Sequence, residues 1–134
     1  MEHATCHVVL VEDNAGDVFL IREALRLEAP CEVTVLDDGD TAFRYFRDRA
    51  YGDTMPDLVV LDLNIPGRDG VEVLDLIRGT PELSEVAVAV VSSSPRDVLV
   101  TKAAQADCYI TKPQDLDAFL AIGKDLLDCV RDQR

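Results

Sequence analysis

Three carboxylates, a hydroxyl and an ammonium each follow a short apolar run in this chain. Glu12 and Asp13 come after Val11, Asp62 after Leu61, Ser92 after Val91, and Lys112 just beyond Tyr109-Ile110. Carboxylates packed together repel one another, so a hard cation is needed to keep them all ionised. Mg²⁺ suits that task, because it prefers oxygen ligands, keeps several waters, and is typically held by one or two carboxylates plus a phosphoryl oxygen. A lone ionised carboxylate can attack phosphorus and give an acyl phosphate. Phosphoryl transfer gathers charge on the transferring oxygens, and the protein mainly supplies position and positive charge. Lys112 is a compact point charge for one such oxygen, and Ser92 with nearby backbone N–H groups serves another. Taken singly, each residue has a plain structural reading: Asp62 as a cap or turn residue, Glu12-Asp13 as a solvated loop, Ser92-Ser-Ser94-Pro95 as a capping sequence, Lys112-Pro113 as a turn. Their joint occurrence at the ends of separate runs carries the functional reading.

Such a set must be assembled by the elements between its members. Cys6–Val11 reads as a buried strand, and from Gly16 onward Val18, Ile21, Ala24 and Leu25 fall at helical spacing until Pro30 stops the helix. Val33–Leu36 is a second strand. Asp38-Gly39-Asp40 is a turn, with Asp40 or Thr41 expected to cap a helix carrying Ala42, Phe43, Phe46 and Ala50. Leu58–Leu61 is the most apolar short run and the expected central strand. It leads into Asp62 and the loop Asn64–Gly70, and a third helix then carries Val71, Leu74 and Ile77. Val86–Val91 is a fourth strand. Pro95, Val98, Leu99 and Ala103 mark a fourth helix, and Tyr109-Ile110 lies in a short fifth strand. Leu116, Phe119, Leu120, Leu126, Leu127 and Val130 form the stripe of a closing helix. Five strands alternating with five helices imply an α/β fold, a parallel sheet covered on both faces. The expected form is flavodoxin-like and doubly wound, with strand order 2-1-3-4-5, and in such sheets functional groups collect at the carboxyl ends of the strands.

Composition narrows the function classes. The 134 residues suffice for one compact domain, with no repeat, linker or second domain expected. The net charge of −13, from 26 acids against 13 bases, makes nucleic acid a poor partner. No apolar run approaches membrane-spanning length, and Met1–His7 lacks the marks of a signal peptide, so a cytoplasmic protein away from membranes is expected. Cys6, Cys31, Cys108 and Cys129 lie far apart with no zinc-ligand spacing, and are expected as buried or half-buried thiols.

The segments Val9–Asn14, Leu61–Pro66 with Asp69-Gly70, Val90–Ser92 and Tyr109–Pro113 together resemble the receiver domain of two-component response regulators, over essentially the whole chain. The resemblance implies that Asp62 is the phosphoacceptor and Glu12-Asp13 the acidic pair. It implies Mg²⁺ bound by Asp13, Asp62 and the Asn64 backbone carbonyl, with Glu12 acting through water. Ser92 would be the switch hydroxyl, Tyr109 the switch aromatic and Lys112 the phosphoryl-contacting ammonium, with a cis Lys112–Pro113 bond. Glu12–Asn14 followed by Asp17–Leu25, Asp62–Pro66 and Cys108-Tyr109 look like the single-domain regulators paired with bacterial phytochromes, implying a sensor histidine kinase of that kind as donor. Two departures stand out. Ser92 replaces the commoner Thr, keeping the hydroxyl but loosening χ1, and Gln105 stands where the family usually has Gly.

The implied mechanism is a two-state switch. Phosphorylated Asp62 draws in Ser92, Tyr109 turns into the vacated space, and the face formed by the fourth helix, fifth strand and closing helix changes shape. Output would pass by protein contact or onward phosphotransfer. Ile122 and Cys129 fall off the main apolar stripe of the closing helix, which suggests exposed apolar surface and a homodimer through that face. An enzyme reading, a haloacid-dehalogenase-type phosphatase with Asp62 as nucleophile, needs a second acid at the position of Asn64 and usually a cap domain. A binding module with a dead acceptor site leaves the full acidic set unexplained, and a flavin carrier would want stacking aromatics, which are scarce in a chain with no Trp.

Overall fold

The computed structural model describes residues 5–48, 55–93 and 106–132, with side chains through residue 130. Strands β1 (Cys6–Val11), β2 (Cys31–Leu36), β3 (Leu58–Leu61), β4 (Ala87–Ser92) and β5 (Cys108–Thr111) form one sheet in the order β2-β1-β3-β4-β5. Every neighbouring pair is parallel. This is the expected doubly wound order. Parallel neighbours are joined by crossovers that pass over the faces of the sheet, and the central strands β3 and β4 are buried throughout, their sequences continuous apolar runs.

Alternation along the strands divides the core in two. Val9, Val11, Val59, Leu61, Val88 and Val90 point to the side covered by helices α2 (Gly39–Asp48) and α3 (Gly70–Gly79). Val8, Leu10, Leu58, Val60, Ala89 and Val91 point to the side covered by α1 (Ala15–Glu28), α4 (Leu116–Leu120) and α5 (Ile122–Asp132). Helix α1 begins where the Asn14 side chain accepts the Asp17 N–H at 2.9 Å, and ends at Ala29, just before Pro30. Helix α5 lies very close to α1: a methyl group at Gly123 would overlap the Ala24 carbonyl.

At the opposite end of the sheet from the carboxyl ends of the strands, Arg78 joins α3 to the stretch entering β4 and to Asp107 before β5. Its guanidinium donates to the carbonyls of Ser84 (3.1 Å) and Val86 (2.8 Å) and to Asp107 Oδ2 (2.8 Å), which also accepts the Val88 N–H at 2.7 Å.

Several expectations change. The closing helix is two helices, with Ala121 in right-handed helical conformation between them (φ −75°, ψ −13°). Ile122 and Cys129 are buried, not exposed: with Phe119 and Leu126 they follow steps of three and four residues, which is the inward stripe of a helix. Leu116, expected on that stripe, is 57% exposed. Helix α2 is capped by neither Asp40 nor Thr41. The Asp38 carboxylate takes the Thr41 N–H at 2.6 Å and its hydroxyl at 3.0 Å. Cys108 and Cys129 form a disulfide, their Cα atoms 6.2 Å apart, because both point into the same side of the core from elements 21 residues apart in sequence. Cys6 and Cys31, paired in register across β1 and β2, remain thiols outside any disulfide. The expected helix from Pro95 to Ala103, and Gln105 after it, lie outside the described residues.

Candidate functional site

The parallel register brings the carboxyl ends of β1, β3, β4 and β5 to one rim. Alternation carried one step past each strand sends Glu12, Asp62 and Lys112 to the α1 side, following Leu10, Val60 and Ile110. There the Lys112 ammonium lies 2.7 Å from Glu12 Oε1, 3.0 Å from Asp62 Oδ2 and 2.8 Å from Asp17 Oδ2. Glu12 is 1% exposed and Asp62 5%. Asp13 projects at the rim, and oxygens of Glu12, Asp13 and Asp62 lie within 4.8 Å of one another. Three oxygen donors at that spacing, two of them buried, fit a small divalent cation of the Mg²⁺ type.

Burial sets the electrostatics. Desolvation, the largest influence, pushes the Glu12 carboxyl up to about 7; Lys112 opposes the rise and neighbouring Asp62 adds to it. For Lys112, burial alone would lower the ammonium's pKa, but hydrogen bonds to Asp17, Glu12 and Asp62 outweigh it and hold the charge well above the ordinary lysine value. One cation shared among buried anions leaves the site with surplus negative charge, and Glu12 is where the surplus falls.

The remaining oxygen of Asp62 is fixed as well. Asp62 Oδ1 accepts the Asn64 N–H at 2.9 Å, and the Asp62 N–H donates to the Val11 carbonyl at 3.0 Å. Gly70, the first residue of α3, stands over this turn: a Cβ there would come within 2.8 Å of Leu63 Cα and 3.0 Å of the Asp62 carbonyl oxygen. Further along the loop, Gly39 N–H donates to the Pro66 carbonyl at 2.8 Å, and the Arg68 guanidinium sits 3.8 Å from the Phe43 ring centroid. The loop that follows Asp62 is thereby held against the start of α2.

Ser92, 4% exposed, ends β4, and its carbonyl accepts the Lys112 N–H at 2.7 Å. That bond extends the β4–β5 ladder to Lys112 and aims its side chain at the acids. The Lys112–Pro113 bond is trans, not the expected cis. Tyr109 pairs with Val90 and packs, partly buried, on the α2–α3 side of the sheet. By alternation Ser92 belongs to that side too, two positions along the strand from Val90. The structure thus brings together Glu12, Asp13, Asp62 and Lys112, with Asn64 joined through its N–H. Asp17 is the addition that sequence reasoning missed. Its only signal was a place one helical turn into α1, where an acid is ordinary at a helix N-terminus.

A doubly wound parallel sheet with acids and a lysine gathered at its carboxyl rim defines the class of small α/β switch domains. Residues 8–123 match the response regulator receiver domain, and the chain belongs to that family. Over 114 residues it is 33% identical to the response regulator Rcp1 of Synechocystis sp., covering 81% of this chain and 78% of Rcp1. Its fold matches the crystal structure of the phosphorylated cyanobacterial phytochrome response regulator RcpA with a TM-score of 0.86 at 36% identity, covering 98% and 97% of the two chains. The crystal structure of the Mn²⁺-bound form of Rcp1 matches with a TM-score of 0.79 at 31% identity, covering 90% of each. The resemblance to phytochrome-associated regulators found in the sequence is therefore present in its relatives as well.

Proposed function

We propose that Asp62 accepts a phosphoryl group from a sensor histidine kinase, of the bacteriophytochrome kind, and that the chain works as a cytoplasmic single-domain switch. The observation that carries this reading is the Lys112 ammonium bridging Glu12 and Asp62 at 2.7 and 3.0 Å beside a trio of oxygen donors. An Asp62 oxygen attacks phosphorus and the P–N bond of the donor phosphohistidine breaks. The imidazole keeps the electron pair and takes up a proton, leaving an acyl phosphate on Asp62. Glu12, Asp13, Asp62 and the Asn64 backbone carbonyl would hold Mg²⁺, whose charge offsets that of the phosphoryl oxygens. Lys112 exchanges its Asp62 contact for a phosphoryl oxygen. Ser92 then moves toward the phosphoryl group, and Tyr109, on the same side of the sheet, follows into the space left behind.

Kinship with proteins named as phytochrome response regulators supports the choice of donor. The fold match to a Mn²⁺-bound relative supports a divalent cation at the acids. Family membership favours this switch over a haloacid-dehalogenase-type phosphatase. Output by way of the face beside β5, and a homodimer through it, is the remaining part of the proposal. It no longer has Ile122 and Cys129 as apolar support, since both are buried.

The test is Mg²⁺-dependent labelling by the kinase, comparing wild type with Asp62→Asn. One base-labile, hydroxylamine-labile phosphoryl group per chain is expected in wild type and none in the variant. Equal labelling of the two proteins sinks the assignment, and sustained turnover of a simple phosphomonoester favours the phosphatase.

A further inference from the structure

Asp17 is the contact of Lys112 for which the proposed chemistry has no use. Among the described residues it stands outside the trio that could share a cation. It comes from a helix rather than a strand end. Its N–H is fixed by the Asn14 side chain at 2.9 Å, and its Oδ2 lies 2.8 Å from Lys112 Nζ, as close as the contacts of Glu12 and Asp62. The ammonium donates to Asp17 Oδ2 and Asp62 Oδ2 and has Glu12 Oε1 in ion-pair range, so carboxylates from α1 and from the ends of β1 and β3 surround it. Two of those contacts belong to groups that a cation and a phosphoryl group would rearrange. The third does not.

Lysine carries its charge on a flexible four-carbon stem with large rotamer freedom. If its only partners were Glu12 and Asp62, the ammonium would lose its aim as those carboxylates turned to a cation and a phosphoryl group. A fixed carboxylate on a neighbouring helix keeps the stem in place throughout. We propose that Asp17 is a positioning residue. It anchors Lys112 from α1, so that the ammonium remains directed at Asp62 when the Asp62 contact passes to phosphoryl oxygen. This rests on the reading of Asp62 as phosphoacceptor. A plain surface ion pair would differ in burial, whereas the Lys112 side chain is only 11% exposed.

The experiment uses the full chain, acetyl phosphate as a small donor and Mg²⁺, with the initial rate of Asp62 phosphorylation as readout. Asp17→Asn is expected to lower the rate about tenfold at unchanged Mg²⁺ affinity by calorimetry, in keeping with the cost of misplacing a catalytic group. Asp17→Glu should restore at least half of the loss. In a Lys112→Ala background the Asp17→Asn change should alter the rate less than twofold, because no ammonium remains to be aimed. An equal loss in both backgrounds, or a rate unchanged or raised in Asp17→Asn, overturns the proposal. The ammonium resonance of Lys112 gives a reading free of phosphorylation: sharp and protected from water exchange in wild type, broadened in Asp17→Asn. If wild type takes up no phosphoryl group, or Asp62→Asn takes it up equally, the phosphoacceptor reading fails. The anchor is then judged on the resonance, and an unbroadened signal in Asp17→Asn rejects it.

Discussion

At the scale of single residues, Glu12 carries the excess charge of the site. Its carboxyl is raised to about 7 from an ordinary 4.5, chiefly by burial. The folded state therefore binds a proton more tightly than the unfolded chain. Stability from this group is fully present below about pH 4.5, is lost as pH rises toward 7, and stays level above that. Thermal unfolding in a metal chelator should show a falling midpoint between pH 5 and pH 7, and that slope should flatten in Glu12→Gln; an unaltered slope in the variant places the titration elsewhere. The acids at strand ends were legible from sequence, because a strand's last apolar residue is easy to find and the polar residue after it must sit at the rim. Asp17 was not, because an acid in the first turn of a helix is commonplace and only the folded distance to Lys112 gives it a second meaning.

Among elements, the sheet and the first three helices were legible because short continuous apolar runs alternate with stretches at helical spacing, and Pro30 and Asp69 mark helix limits. The closing segment misled because no Pro marks its break at Ala121 and Gly123 falls inside the second helix, and a single helical stripe drawn through both halves assigned Leu116 inward and Ile122 and Cys129 outward. The Arg78 clamp was also invisible in one dimension, since its partners come from two segments far apart in sequence, the stretch Ser84–Val86 before β4 and Asp107 before β5. Removing it leaves two carbonyls and a half-buried carboxylate short of a donor. Arg78→Ala should cost about 2 kcal/mol in chemical denaturation, whereas a change below about 0.5 kcal/mol would mean that water replaces the guanidinium at no loss.

For the molecule as a whole, 26 acids against 13 bases create a field that repels itself. Any salt should stabilise the fold somewhat by screening. A cation seated at Glu12, Asp13 and Asp62 adds a separate, saturable gain: at ten times its dissociation constant, Mg²⁺ should raise stability by about 1.4 kcal/mol beyond NaCl of equal ionic strength. That excess should vanish in Asp13→Asn, and an excess that survives the substitution would move the cation away from these acids. The division of the rim by strand alternation has a consequence of another kind. Lys112, Glu12 and Asp17 gather on the α1 side, while Ser92 and Tyr109 follow residues facing α2 and α3. In the proposed switch, charge is handled on one side of the sheet and shape change is drawn from the other, so substitutions far from Ser92 on the α2–α3 side are expected to alter the output more than the phosphoryl uptake.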